Sequence, residues 1–218
     1  MVNMTRILLL DDKNEAAKNT TRILDEIKDD KGNPKFCFLL NESGQNLGTD
    51  IIMPNKSKCR DSIRDAAVKM IHREIDNFEI LMVDGFLIGH QDEIHGPVSL
   101  QIIKEIIADT DMDFQEKLQN KRIILITSYD NRKRYLIFSP IYMNDVYRNR
   151  FSLLFRPAIY HERDAAMDTC CFKDENELSG KQKCSLWKDR IYSGKEGSPK
   201  CSRKECMLDV FMNIVGVI

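Results

Sequence analysis

No apolar run in this chain approaches the roughly 20 residues that a membrane-spanning helix needs, so no membrane association is expected. An excess of charge of either sign is also missing. Lys+Arg number 33 against 34 Asp+Glu, a formal net charge of -1. Such a balance supplies no global field that would draw the chain to nucleic acid or to an anionic surface, and no direct nucleic-acid contact is expected. Tryptophan is scarce, with Trp187 the single one among 218 residues. Met1 to Arg6 runs straight into an apolar strand with no signal peptide visible, so a cytoplasmic location is expected. Paired cysteines are missing as well. The seven are Cys37, Cys59, Cys170, Cys171, Cys184, Cys201 and Cys206, an odd number with five in the last quarter. Without a secretion signal a disulfide framework is not expected. Cys170 and Cys171 are adjacent, Cys184 stands alone, and four residues separate Cys201 from Cys206, with His161 upstream. That spacing lacks the two close pairs typical of structural zinc.

What is present is a hydrophobic fraction of 42%, enough for a globular core. The length suits one domain with insertions or a small appendage. Short apolar runs at Thr5 to Leu10, Lys35 to Leu40, Phe78 to Val83, Arg122 to Ile126 and Phe151 to Phe155 predict buried strands. Between them lie helical patterns. Over Lys13 to Asp29, residues Ala16, Ala17, Thr20, Leu24 and Ile27 share a face. Over Cys59 to Asp76, the inward set is Ile63, Ala67, Met70, Ile71 and Ile75. After Pro97, a good first-turn residue, come Leu100, Ile103, Ile106 and Ile107. Lys31-Gly32-Asn33-Pro34 is a break, and 41–58 reads as a long loop or irregular insertion. Strands alternating with helices predict an α/β protein with a parallel sheet covered on both faces. The right-handed crossover rule favours a doubly wound order. From 158 to 205 the pattern dissolves, and 207–218 is apolar again, with Leu208, Phe211, Ile214 and Val215 on one side of a predicted final helix.

Four strand ends carry chemistry. Asp11-Asp12 follow Leu10, Asp84 follows Val83, Thr127-Ser128 follow Ile126, and Arg156-Pro157 follow Phe155. In open parallel sheets ligands sit past the carboxyl ends of the strands. Two or three acids at one point suit a hard, octahedral cation such as Mg²⁺. A hydroxyl and a cation at the same rim suit the oxygens of a phosphoryl group carried on a carboxylate.

The order Asp-Asp, Asp, Thr, cation-Pro resembles the receiver domain of two-component response regulators, over about residues 5 to 158. It rests on Arg6-Ile-Leu-Leu-Leu-Asp-Asp12, Ile80-Leu-Met-Val-Asp84, Ile123-Ile-Leu-Ile-Thr-Ser-Tyr-Asp130 and Leu153-Leu-Phe-Arg-Pro157. The resemblance implies a five-stranded, doubly wound parallel sheet of order 2-1-3-4-5, here with insertions and a C-terminal extension. It implies a receiver over 1–158 and a cysteine-containing extension over 159–218, whose last residues, 207–218, pack back on the sheet. It implies that Asp84 accepts a phosphoryl group and that Asp11, Asp12, Asp84 and the backbone carbonyl of Phe86 bind Mg²⁺. Thr127 then contacts the phosphoryl group, and Arg156 stands where the family has Lys. The implied partners are a histidine kinase or phosphotransfer protein and a downstream protein. The implied role is phosphorelay signalling, not enzymic turnover.

Departures from the family pattern are visible. Arg replaces Lys, with a planar fork and a different reach. Gly85-Phe86-Leu87-Ile88 stands where Met-Pro is usual after the acceptor, Leu153 replaces a common aromatic, and 129–150 is longer than usual. A second reading is therefore a phosphorylation-independent pseudo-receiver used as a docking module. A third, a phosphohydrolase of the haloacid-dehalogenase type, needs a second Asp two residues after its nucleophile. Lys13 and Asn14 stand there instead. His90 and His95 in the loop after Asp84, and the basic run Asn131-Arg-Lys-Arg134, read as solvated surface.

Overall fold

The computed structural model describes residues 4–52, 60–85, 87, 98–128 and 152–156, together with 208, 211, 212 and 214–216; for 127, 128, 153, 155 and 156 it describes the backbone only. Thr5–Leu10 forms β1, Asn14–Leu24 α1, Phe36–Phe38 β2, Leu47–Ile52 α2 and Arg60–Glu74 α3. Ile80–Asp84 forms β3, Val98–Ile107 α4, Met112–Gln119 α5, Arg122–Ser128 β4 and Ser152–Arg156 β5. The protein is α/β, with parallel strands in the order β2-β1-β3-β4. The backbone of β5 pairs parallel beside β4.

Both sides of each central strand are apolar because both faces of the sheet are covered. Leu8 and Leu10, Leu81 and Val83, and Ile123 and Leu125 pack with Ile52, Ile63, Ile71, Ile103 and Phe114 from α2 to α5. The alternate residues Ile7, Leu9, Ile80, Met82, Ile124 and Ile126 pack with Ala17, Ile23 and Leu24 of α1. Each fully buried aliphatic side chain contributes about 1.5–3 kcal/mol relative to exposure. Phe211 joins the α1 side of the core at 0% exposure. Its ring meets Phe36 edge-on, centroids 5.0 Å apart. Backbone at 208, 211, 212, 214 and 215 is helical.

The faces expected from periodicity are the buried ones. Ala16, Ala17, Thr20 and Leu24 are buried in α1, and Ile63, Ala67, Met70 and Ile71 in α3. The ends of β2, β3, β4, β5 and α3 shift by one or two residues from those expected, and larger differences lie in three places. The first helix was expected to reach Asp29, but α1 ends at Leu24. There the Glu26 and Ile27 N–H groups turn to the carbonyls three residues back, Ile23 and Leu24, the tighter bonding usual at helix ends. A closed turn follows, in which Asp29 Oδ1 accepts from the Lys31 and Asn33 N–H groups and Gly32 adopts φ 82°, a conformation that favours glycine. The expected loop over 41–58 contains the six-residue α2. The stretch between α4 and β4 contains α5, capped by Asp111, whose side chain accepts from the Asp113 and Phe114 N–H groups.

α2 fits because Gly48 has no side chain. A Cβ there would lie 2.0 Å from the Leu9 carbonyl oxygen and 2.8 Å from Leu10 Cδ2. β2 is only three residues long. α2 therefore comes up against β1 where the neighbouring strand has ended.

Candidate metal centre

β1 and β3 are neighbours, and their register sets Leu10 opposite Val83. The next residue on each strand is acidic, so Asp11 and Asp84 arrive side by side at the carboxyl rim. Asp12 follows at once. All three are buried, at 0%, 2% and 4% exposure, and one carboxylate oxygen from each lies within 4.8 Å of the others. This juxtaposition is a product of register, because Asp84 stands 72 positions beyond Asp12 in sequence.

The surrounding backbone holds the acids in place. The Lys13 N–H donates to Asp11 Oδ1 at 2.9 Å, folding the chain over the carboxylate at the start of α1. Beyond Asp84, the Gly85 N–H donates to the Ile126 carbonyl of β4 at 2.6 Å. The Gly85 carbonyl accepts from the Ser99 hydroxyl of α4 at 2.7 Å, a fully buried contact. The Leu87 N–H reaches back to the Asp84 carbonyl at 3.3 Å.

Burying carboxylates together is costly. Two like charges 4 Å apart repel by about 4 kcal/mol even at an effective dielectric of 20, and each loses hydration besides. A hard divalent cation with oxygen ligands offsets both costs. The donor set is all oxygen, compact and water-poor, and it fits such an ion. Among the described residues the cluster contains no histidine or thiolate ligand, which would favour zinc or copper.

Thr127 and Arg156 are placed by backbone register. Asp84 pairs with Ile126, so Thr127 is the next residue along β4. Thr127 in turn stands opposite Phe155, and Ser128 opposite Arg156. All four polar strand ends thus belong to one rim. The side chains of Thr127 and Arg156 lie outside the described residues. So do Phe86, His90, His95, Pro157, Cys59, the segment 129–150, and Cys170, Cys171, Cys184, Cys201 and Cys206. Cys37 is half-buried in β2, where burial pushes its thiol pKa up, the opposite of what a reactive thiolate needs.

Nothing in the sequence marks Ser99 or Gly48. Pro97-Val98-Ser99 announces only a helix start, and nothing local reveals that the hydroxyl crosses to the residue after Asp84. Among the described residues no helix is long and apolar enough to cross a membrane. Compared with protein-family models, curated proteins and solved structures, the chain matches none.

Proposed function

We propose that this protein is a divergent receiver in cytoplasmic phosphorelay signalling, with Asp84 as phosphoacceptor. The observation that carries the reading is the meeting of three buried carboxylates from two strand ends within 4.8 Å. Beside it, on adjacent strands, stand a hydroxyl at Thr127 and a cation at Arg156. The reading takes the sheet as five-stranded and doubly wound, order 2-1-3-4-5. The β5 backbone beside β4 and the apolar packing on both faces support it.

In this reading Asp11, Asp12, Asp84 and the Phe86 carbonyl hold Mg²⁺, which when bound neutralises phosphoryl charge. An Asp84 oxygen attacks phosphorus. The bond from phosphorus to the donor histidine nitrogen breaks as the new P–O bond forms, and the histidine leaves and takes up a proton. Thr127 donates a hydrogen bond to one phosphoryl oxygen, and Arg156 pairs with another. The added charge draws these two groups inward and shifts the loops they begin, which changes the surface offered to a downstream protein. The partners are a histidine kinase or phosphotransfer protein upstream and a protein target downstream.

The test is intact mass after incubation with acetyl phosphate, with and without Mg²⁺, for wild type and Asp84→Asn. One added phosphoryl mass is expected in wild type with Mg²⁺, and none in the other cases. No adduct in wild type, under conditions that label a known receiver, would replace this reading with the pseudo-receiver, a fixed docking module. The Arg156 substitution and the altered Gly85-Phe86-Leu87-Ile88 stretch favour that second reading.

A further inference from the structure

Ser99 is 0% exposed, and its hydroxyl donates 2.7 Å to the carbonyl of Gly85, the residue bonded to Asp84. On its other side Gly85 donates to Ile126 of β4 at 2.6 Å. Gly85 is therefore held on both sides, its N–H by the strand beside it and its C=O by the first turn of α4. The Ile126 bond continues the sheet ladder, which β3 and β4 form in any case. The Ser99 bond is different. It fixes the plane of the peptide that leads from Gly85 into residue 86, and glycine, with the widest φ/ψ freedom, would otherwise let that plane turn.

We infer that Ser99 is a positioning residue for the cation site, setting the direction of the Asp84 carboxylate and of the backbone that follows it. The inference rests on the reading of Asp11, Asp12 and Asp84 as cation ligands. Groups that orient metal ligands without touching the metal typically govern affinity by 10–100-fold. A capping serine uses its oxygen to accept from the helix's own N–H groups, a role that leaves the O–H donor unassigned. This one spends its single donor on a carbonyl 14 residues back in the chain.

The experiment is calorimetric titration of the full chain with Mg²⁺ and with Mn²⁺, on wild type, Asp84→Asn and Ser99→Ala. Circular dichroism checks the fold of each. Asp84→Asn is expected to abolish binding. Ser99→Ala is expected to fold and to bind about 10–100-fold more weakly. Its labelling by acetyl phosphate should lag at low Mg²⁺ and recover at saturating Mg²⁺. A purely structural role would not give that metal-dependent recovery. Wild-type affinity in folded Ser99→Ala, with binding still lost in Asp84→Asn, would overturn the role of Ser99 and leave the cation site standing. No binding by wild type, or equal binding by Asp84→Asn, would overturn the cation reading and this inference with it. Should Ser99→Ala fail to fold, Ser99→Cys keeps the volume close and offers only a weak donor. Reduced affinity there supports the role, and wild-type affinity overturns it.

Discussion

At the amino-terminal rim of the sheet, Arg6 of β1 meets Glu79, just ahead of β3, with Nη2 to Oε1 at 2.7 Å. Lys117 of α5 meets Asp76 close by at 3.0 Å. At the carboxyl-terminal rim the same two strands run into Asp11, Asp12 and Asp84, three acids with oxygens within 4.8 Å. One rim pairs opposite charges in partial contact with water, and the other gathers like charges away from it. The first arrangement is self-contained. Burial raises the Glu79 carboxyl pKa, but the hydrogen bonds from Arg6 outweigh it and leave the group below its ordinary value, while the Arg6 guanidinium is raised. The second arrangement brings together like charges that a divalent cation would neutralise. The proposed reading puts the cation site at the carboxyl rim, where the acids gather.

Three perturbations break or sharpen this contrast. The largest expected effect is that of Gly48→Ala. The new Cβ must displace the Leu9 backbone, two residues ahead of Asp11. A loss of about 1–3 kcal/mol is expected from such overpacking, read as a lower denaturation midpoint. Cation affinity should fall with it, while the Arg6–Glu79 pair at the other end of β1 stays intact.

Next comes Asp84→Asn in metal-free buffer. Removing one of three clustered acids relieves repulsion, so this variant should be more stable than wild type by about 1–2 kcal/mol. Saturating Mg²⁺ should reverse the order. Cation at 100 times its dissociation constant adds about 2.7 kcal/mol to a protein that binds it and almost nothing to the variant. Thermal unfolding with EDTA and with Mg²⁺ reads both signs. A destabilised Asp84→Asn in EDTA would erase the contrast between the rims.

The smallest effect belongs to Glu79→Gln. The pair is 41% and 44% exposed, so about 0.2–1 kcal/mol is expected. Because the folded pKa of Glu79 is depressed, its contribution is full above the unfolded value of about 4.3 and fades as pH falls through the folded one. The stability gap between wild type and variant should therefore be open at neutral pH and narrow in acid. Salt should narrow it too.

Much of this was legible in the chain itself. β1 spans Thr5–Leu10 as its apolar run indicates, and α3 buries the face that its periodicity names. Such signals are local, set by repeats of two or 3.6 residues. α2 carried none. Six residues are too few to show a helical period, and glycine is a poor helix former. It forms because Gly48 alone can sit against the Leu9 carbonyl. α5 was legible in principle, since Asp111 followed by Phe114 and Leu118 is a cap with an apolar i, i+4 pair.

The sequence by itself determined which segments become strands, that both faces of the central ones are apolar, and that acids, a hydroxyl and a cation stand at or just past their carboxyl ends. Strand order and register decided the rest. Only with β3 beside β1 and Val83 opposite Leu10 do Asp11 and Asp84 become neighbours. Only with α4 laid across that edge does Ser99 reach Gly85. The physical reason is that local pattern fixes which way a side chain faces, whereas proximity between distant residues is set by how whole elements pack to bury their apolar faces.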